Sequence, residues 1–203
     1  MAEQKVLLPS GLSIPVAIKS VFIPGVDLKQ ETIDAIRNAT ETQCLEKAAE
    51  RWGQGQIVTV RDLNGTDMGY PNNIFVETSN AGANAWNAMA VGPFVIALGT
   101  IIGIYGLRLG HLQAAAVSFA PITGVRIDVG GARVAQWMTQ CVDSYGAGTS
   151  LGKEFLAGFT KSPIVAQETM TVTIFEYTRT ATQLYNPVWA GVVIEKLGIT
   201  LRP

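Results

Sequence analysis

The sequence contains few side chains that could carry out catalysis. His111 is its only histidine and follows Gly110 at the end of an apolar segment. Hydrolases, lyases and metalloenzymes need a nucleophile or a metal ion held beside a base, and that base is most often histidine. The chain also lacks zincin, paired-cysteine zinc and nucleophile-elbow motifs. We interpret His111 as a surface or interface residue, predict no catalytic residues and expect no enzymatic activity.

Residues 146–154, GAGTSLGKE, come nearest to a phosphate-binding loop. Such a loop needs a glycine five positions before the glycine of its Gly-Lys pair, where this chain has Ala147. It also needs a hydroxyl after the lysine to hold magnesium, where this chain has Glu154. We therefore interpret the segment as a flexible loop between strands.

Acidic residues and cysteines do not form a metal-binding pattern. Asp62 and Asp67 flank an Asn-Gly turn and could approach each other, as the carboxylates of calcium sites and glycosidases do. No third ligand accompanies them, so we expect two solvated carboxylates. Cys44 and Cys141 lie far apart, which favours two buried thiols in a reducing compartment. We expect no bound metal and no other cofactor.

The charge content is low for a globular domain. Fifteen Lys and Arg residues nearly balance sixteen Asp and Glu residues, so the chain has little field with which to hold nucleic acid or an anionic membrane surface. Charged residues make up 15% of the chain and hydrophobic residues 48%, whereas ~25% charged is typical. Such a chain must cover much of its surface with neighbouring subunits or place part of itself in lipid. Its first residues, MAEQKV, do not resemble a secretory signal.

Three regions are predicted along the chain. Residues 1–26 contain short apolar runs separated by prolines and glycines, which favours an extended N-terminal arm. Residues 27–53 begin with a capping-box arrangement and carry apolar residues at helical spacing, which predicts an amphipathic helix that breaks near Thr40. Residues 54–203 are expected to form one β domain.

Apolar residues in the third region recur at every second position, the period of a half-buried strand. Met170, Val172 and Ile174 alternate with threonines, and Val125 and Ile127 alternate with charged residues. We expect these five side chains to line the core. Further strands are predicted at 57–61, 74–77, 100–109, 133–138 and 188–196. Seven or eight short strands with Gly, Pro and Asn turns predict a mainly all-β fold, a jelly roll or β-sandwich.

Residues 85–107 contain no charged residue and are long enough to cross a bilayer as a helix. Pro93 and several glycines in this stretch favour two strands joined at a bend instead. We expect strands here, with a membrane-spanning helix as the alternative.

From about residue 54 to its C-terminus, the chain resembles the jelly-roll structural proteins of bacteriophages. The segments that carry the resemblance are IGIYGLRL at 102–109, GGARVAQW at 130–137, the strand at 169–177 and WAGVVIEKLG at 189–198. They are similar to single jelly-roll capsid proteins of tailless icosahedral phages with an internal membrane, and to decoration proteins on tailed-phage heads. The helix at 27–53 departs from a bare jelly roll.

The resemblance implies a structural subunit of a phage particle, assembled in the host cytoplasm. Its partners would be copies of itself and other virion proteins, without direct nucleic acid binding, and a viral membrane could lie beneath it. Core or interface packing accounts for the four scattered tryptophans, and Trp86, Trp137, Trp189 and Tyr105 are our candidates for subunit contacts. The alternative is a carbohydrate- or partner-binding jelly-roll module, and the third hypothesis is a membrane-associated protein with a span at 85–107.

Overall fold

The computed structural model describes residues 30–79, 82, 84–111, 122–138, 154–178 and 184–197. The predicted N-terminal arm at 1–26, Cys141 and the Gly/Ser-rich residues 146–153 lie outside this part of the chain. His111 ends a strand, and its side chain also lies outside the described part.

The described residues contain one α-helix, one short 3₁₀ helix at Thr66–Met68 and ten strands. The helix, α1, is Gln30–Trp52, close to the predicted bounds. The strands are β1 Val58–Asp62, β2 Glu77–Thr78, β3 Ala85–Ala88, β4 Phe94–Val95, β5 Thr100–His111, β6 Ile122–Val129, β7 Ala132–Met138, β8 Glu154–Gln167, β9 Thr171–Thr178 and β10 Leu184–Lys196. The mainly β fold that the sequence predicts is confirmed.

The strands form two antiparallel sheets. Sheet A has the order β1-β10-β5-β8, and β2 also pairs with β10; sheet B has the order β3-β9-β6-β7, and β4 also pairs with β9. Eight strands remain when the two-residue strands β2 and β4 are left out. If these eight are numbered consecutively along the chain, sheet A has the order 1-8-3-6 and sheet B has the order 2-7-4-5. This interleaved order is the jelly-roll form of a β-sandwich, in which two Greek keys are wound together.

Two prolines lie within strands of sheet A, where they remove backbone donors. Pro163 is in β8, which the sequence analysis did not predict, and β8 is an edge strand with a partner on one side only. Pro187 is in β10 between the residues that pair with β2 and those that pair with β1, so β10 has only β5 beside it there. Both positions are ones where a missing N–H costs no ladder hydrogen bond.

The space between the sheets is filled by apolar side chains from both. Val125 and Ile127 of β6 and Val172 and Ile174 of β9 lie there, all 1% exposed or less. Met170 does not, because it precedes β9 in a turn and is 37% exposed. The prediction was wrong at this position: Thr169 adopts a φ of 67°, so the alternation of the strand begins at Thr171 rather than before it.

Strand β5 is buried on both of its faces. Residues 101–107 are all buried, and alternate side chains enter the core between the sheets or point to the outer face of sheet A. The stretch 85–107 therefore forms β3, β4 and most of β5 rather than a spanning helix. No helix among the described residues is both long enough and apolar enough to cross a membrane. A fully buried strand explains the uncharged run.

Helix α1 covers the outer face of sheet A with one stripe of residues at i, i+4 spacing: Ile36, Thr40, Cys44 and Ala48. They contact a second apolar cluster on the sheet that contains Ile101, Tyr105, Val192 and Ile194. The predicted break near Thr40 was wrong, because α1 is continuous and the Thr40 hydroxyl donates a hydrogen bond to the Ile36 carbonyl at 2.8 Å. That bond satisfies the hydroxyl within the buried face of the helix.

Gly103 permits the close approach of α1 to sheet A. A Cβ atom at this position would lie 2.5 Å from Cys44 Sγ and 2.6 Å from Thr40 Cγ2, well inside van der Waals contact. Gly191 on the neighbouring strand is equally tight, because a Cβ there would lie 2.5 Å from the Gly103 carbonyl oxygen. Helix α1 therefore packs closely against sheet A at Gly103, where any larger side chain would clash with it.

Gly103→Ala should push α1 away from the sheet and lower the free energy of unfolding by ~1–3 kcal/mol, the usual cost of overpacking a core. Urea denaturation measures this. Combining it with Thr40→Ser and Cys44→Ala, which remove the two clashing atoms, should recover much of the loss. Strictly additive free-energy changes in this mutant cycle would contradict the proposed contact.

Candidate functional site

The aromatic residues predicted at subunit contacts have different environments. Trp189 is 3% exposed within the core between the sheets, and Tyr105 is 7% exposed beneath α1. The interface prediction was therefore wrong for these two, because their strands turn them towards apolar layers of the same chain, and Trp189 has the core position that the sequence equally allowed. Trp86 lies half-buried on the outer face of sheet B. The Trp137 side chain lies outside the described residues.

The acids of the Asn-Gly turn are bound by arginines of the same chain. Asp67 accepts two hydrogen bonds from Arg61, at 2.6 and 2.7 Å, and Asp62 accepts two from Arg37, at 3.1 and 2.9 Å. The expectation of two solvated carboxylates was wrong for Asp67, whose side chain is 11% exposed. Within the described part of the chain, no three His, Cys, Asp or Glu residues converge on one point.

The two cysteines, Cys44 and Cys141, were expected to be buried thiols. Cys44 is a free thiol that lies fully buried between α1 and sheet A. Burial raises its pKa to about 12, so the thiol stays protonated near neutral pH and is a poor nucleophile.

Two glutamates, Glu77 and Glu176, lie inside the sandwich, at 3% and 0% exposure. Glu176 accepts hydrogen bonds from the hydroxyls of Tyr185 and, at 3.0 Å, Thr178. Glu77 accepts one from the backbone N–H of Val91 at 3.2 Å. We call these glutamates, together with Tyr70, Tyr185 and Trp189, the buried acidic cluster.

The electrostatics of the buried acidic cluster follow from its removal from water. Burial is the main cause that raises the pKa of Glu77 above 4.5, with a smaller contribution from the charge of Glu176. Burial and the neighbouring Glu176 also raise the pKa of Tyr185. The Tyr70 hydroxyl and the Trp189 indole N–H are also buried, and Tyr70 lies close enough to Glu77 to affect its pKa, although neither group has the geometry of a hydrogen bond. The groups of this cluster are therefore largely closed to solvent in this structure.

The buried acidic cluster was not predicted from the sequence, although one signal for it was present. The alternation that puts Val172 and Ile174 in the core continues to Glu176 and Thr178. An acid on the core face of a strand predicts a buried polar contact. Its partner Tyr185 comes from β10, and no local pattern connects the two strands.

One end of the sandwich exposes several large apolar side chains. Leu98 is 72% exposed and Ile57 70%, and Val95, Met170 and Leu197 are also exposed. Backbone hydrogen bonds join these segments: Leu197 donates to Ile57, and Ile96 donates to Met170. We call the five residues Ile57, Val95, Leu98, Met170 and Leu197 the apolar end.

A charged contact holds the segments behind the apolar end together. Glu168 accepts a hydrogen bond from the Gly99 backbone N–H at 2.6 Å and another from Arg51 of α1 at 2.9 Å. The Gly99 bond is the main cause that lowers the pKa of Glu168, and Arg51 adds to it. This contact joins the C-terminal end of α1 to two loops of the sheets.

The outer face of sheet B carries a group of aromatic and charged side chains. Trp86 and Tyr177 make an edge-to-face contact with centroids 5.4 Å apart, and the Arg126 guanidinium carbon lies 3.8 Å from the Phe175 ring centroid. Arg126 also pairs with Asp128 at 3.2 Å. We call these five residues the aromatic face.

No known protein-family model matches the chain, and no curated protein is similar to it in sequence. The jelly-roll strand order occurs in virus capsid subunits, lectins and cupins, and a fold alone does not assign a function. The function of this chain must therefore be inferred from its surfaces.

Replacing Glu77 by Gln tests the burial of its carboxyl group. Because the pKa of Glu77 is raised in the folded protein, its contribution to stability is full below pH 4.5 and is lost as pH rises through the folded pKa. Wild-type unfolding free energy should therefore show a decline over this window that Glu77→Gln lacks. Urea denaturation at a series of pH values measures it.

The matched control is Glu50→Gln, which changes an exposed helix carboxylate paired with Lys47. This control should keep the wild-type pH profile. A wild-type decline that persists unchanged in Glu77→Gln would show that another group causes it.

Proposed function

We propose that the protein is a structural subunit of a bacteriophage particle, which forms or decorates the capsid by packing against copies of itself and other virion proteins. The observation that carries this proposal is the apolar end, where five large apolar side chains are exposed together. A jelly-roll sandwich that buries two apolar layers internally and still exposes a third apolar surface is suited to assembly.

The energetics favour covering the apolar end. Burial of apolar surface contributes ~25 cal/mol per Å², and monomeric soluble proteins rarely expose large contiguous apolar patches. Leu98 and Ile57 lie in a turn and a loop rather than in strand interiors, so the packing of their own sheets does not require them to be apolar. A contact with a neighbouring subunit gives these positions a physical reason.

The charges of the chain are arranged in a way that suits the same role. Arg37, Arg51 and Arg61 each pair with a carboxylate of the same chain. Charges neutralised within the subunit interfere little with contacts between subunits, because like charges that face each other across an interface are costly. Only 15% of the residues are charged. This low fraction limits solubility less once neighbouring subunits cover the surface.

The helix suggests how one subunit could reach another. Arg51, near the C-terminal end of α1, contacts Glu168 beside the apolar end, so the N-terminal end of α1 points towards the opposite end of sheet A. The predicted arm at 1–26 precedes that end of the helix. We propose that this arm docks on a neighbouring subunit.

Removing the apolar character of this end should weaken self-association. The double variant Ile57→Asp/Leu98→Asp places charges where a neighbour would pack, and burying unpaired charge is strongly unfavourable. We expect wild type to form oligomers and the variant to be mainly monomeric, with an apparent dissociation constant raised about tenfold or more. Size-exclusion chromatography with light scattering measures both.

Leu184→Asp is the matched control, since Leu184 is also exposed but lies at the other end of β10. It should leave the oligomer intact. A wild-type chain that stays monomeric at high concentration, or a double variant that assembles as wild type does, would overturn the proposal.

A further inference from the structure

We propose that the aromatic face is a binding site for a neutral glycan, a function separate from subunit assembly. The site consists of Trp86, Tyr177, Phe175, Arg126 and Asp128, on the outer face of sheet B. It lies on the opposite sheet from α1 and does not include any residue of the apolar end.

The strand register places these side chains side by side. Trp86 of β3 is directly opposite Tyr177 of β9, and Phe175 of β9 is directly opposite Arg126 of β6. Asp128 is two residues beyond Arg126 and therefore points to the same face. Their neighbours Ile174 and Ile127 point into the core, which fixes the outward direction of the five. The site is thus built on paired strands rather than on loops.

Arg126 and Asp128 give the site donors and acceptors next to aromatic rings. Arg126 Nε and Asp128 Oδ1 are buried and face each other at 3.2 Å, without the geometry of a hydrogen bond. The two side chains are only partly buried, with 15% and 18% of their surface exposed. A guanidinium and a carboxylate therefore lie side by side next to the aromatic rings, and each side chain is partly exposed.

Stacking restricts how the guanidinium can move. Its central carbon lies 3.8 Å from the Phe175 ring centroid and 5.7 Å from that of Trp86. A guanidinium in contact with an aromatic ring has fewer orientations open to its planar donors. The cost of ordering this side chain on binding is correspondingly small.

A neutral sugar matches this combination better than other ligands. Neighbouring hydroxyls of a hexose can accept hydrogen bonds from the guanidinium and donate hydrogen bonds to the carboxylate. The apolar C–H face of the sugar ring can pack on an aromatic side chain. The opposite charges of Arg126 and Asp128 cancel, so the pair does not select an anionic ligand. Rigid aromatic side chains combined with a few placed polar groups are typical of small-ligand sites.

Binding should be measured on an array of immobilised neutral oligosaccharides of glucose, galactose, mannose and N-acetylglucosamine, with sialylated glycans beside them. The strongest neutral ligand is then titrated by calorimetry. We expect wild type to bind at least one neutral glycan, and both Arg126→Met and Asp128→Asn to weaken that binding about tenfold. Arg126→Lys, which keeps the charge and loses the planar donors, should weaken it as well and serves if Arg126→Met does not fold.

Lys47→Gln on the exposed side of α1 is the control and should bind as wild type does. The assembly variant Ile57→Asp/Leu98→Asp should also retain glycan binding, so failure of the assembly proposal would leave this one standing. Binding to no neutral glycan, binding to sialylated glycans only, or neutral binding that is insensitive to all three variants would overturn the proposal. So would loss of oligomers on Arg126→Lys, which would make this face a contact between copies of the chain.

Discussion

The burial of strand β5 on both faces is the constraint on which the remaining structure depends. Its residues 101–107 are apolar or glycine, and all of them are buried. A strand of this kind needs one apolar layer above it and another below, since each exposed side chain would lose ~1.5–3 kcal/mol of burial free energy. Sheet B provides one layer and α1 the other. Gly103 is the point at which the second layer touches the strand.

Sheet A is covered on both faces, by sheet B and by α1, and the outer surfaces of the two sheets therefore differ. The outer face of sheet A is occupied by α1 and carries an apolar cluster with Cys44 at its centre. The outer face of sheet B carries aromatic side chains and the Arg126–Asp128 pair. One sheet therefore uses its outer face for the stability of the subunit, and the other presents chemical groups to its surroundings.

Polar groups inside the sandwich are tolerated where strand pairing supplies partners. Glu176 is held by the hydroxyls of Tyr185 and Thr178, and Glu77 by a backbone N–H of the loop after β3. Buried carboxylates with such partners help to specify one register of the strands, because a slip would leave them unpaired. These hydrogen bonds join β9 to β10 and β2 to the loop after β3, and apolar packing alone would not make these contacts specific.

Local patterns in the sequence were sufficient for the helix, for most strands and for the mainly β fold, because side-chain period and turn residues act over a few positions. They placed Val172 and Ile174 correctly and failed at Met170, where a positive φ at Thr169 ends the alternation. They did not reveal β8, whose Pro163 is acceptable only at a sheet edge. Tyr105 and Trp189 are aromatic residues that local patterns would equally allow at a surface. Contacts between distant strands and with α1 bury them, and such contacts, like those that assemble the apolar end and the aromatic face, exist only once the chain has folded.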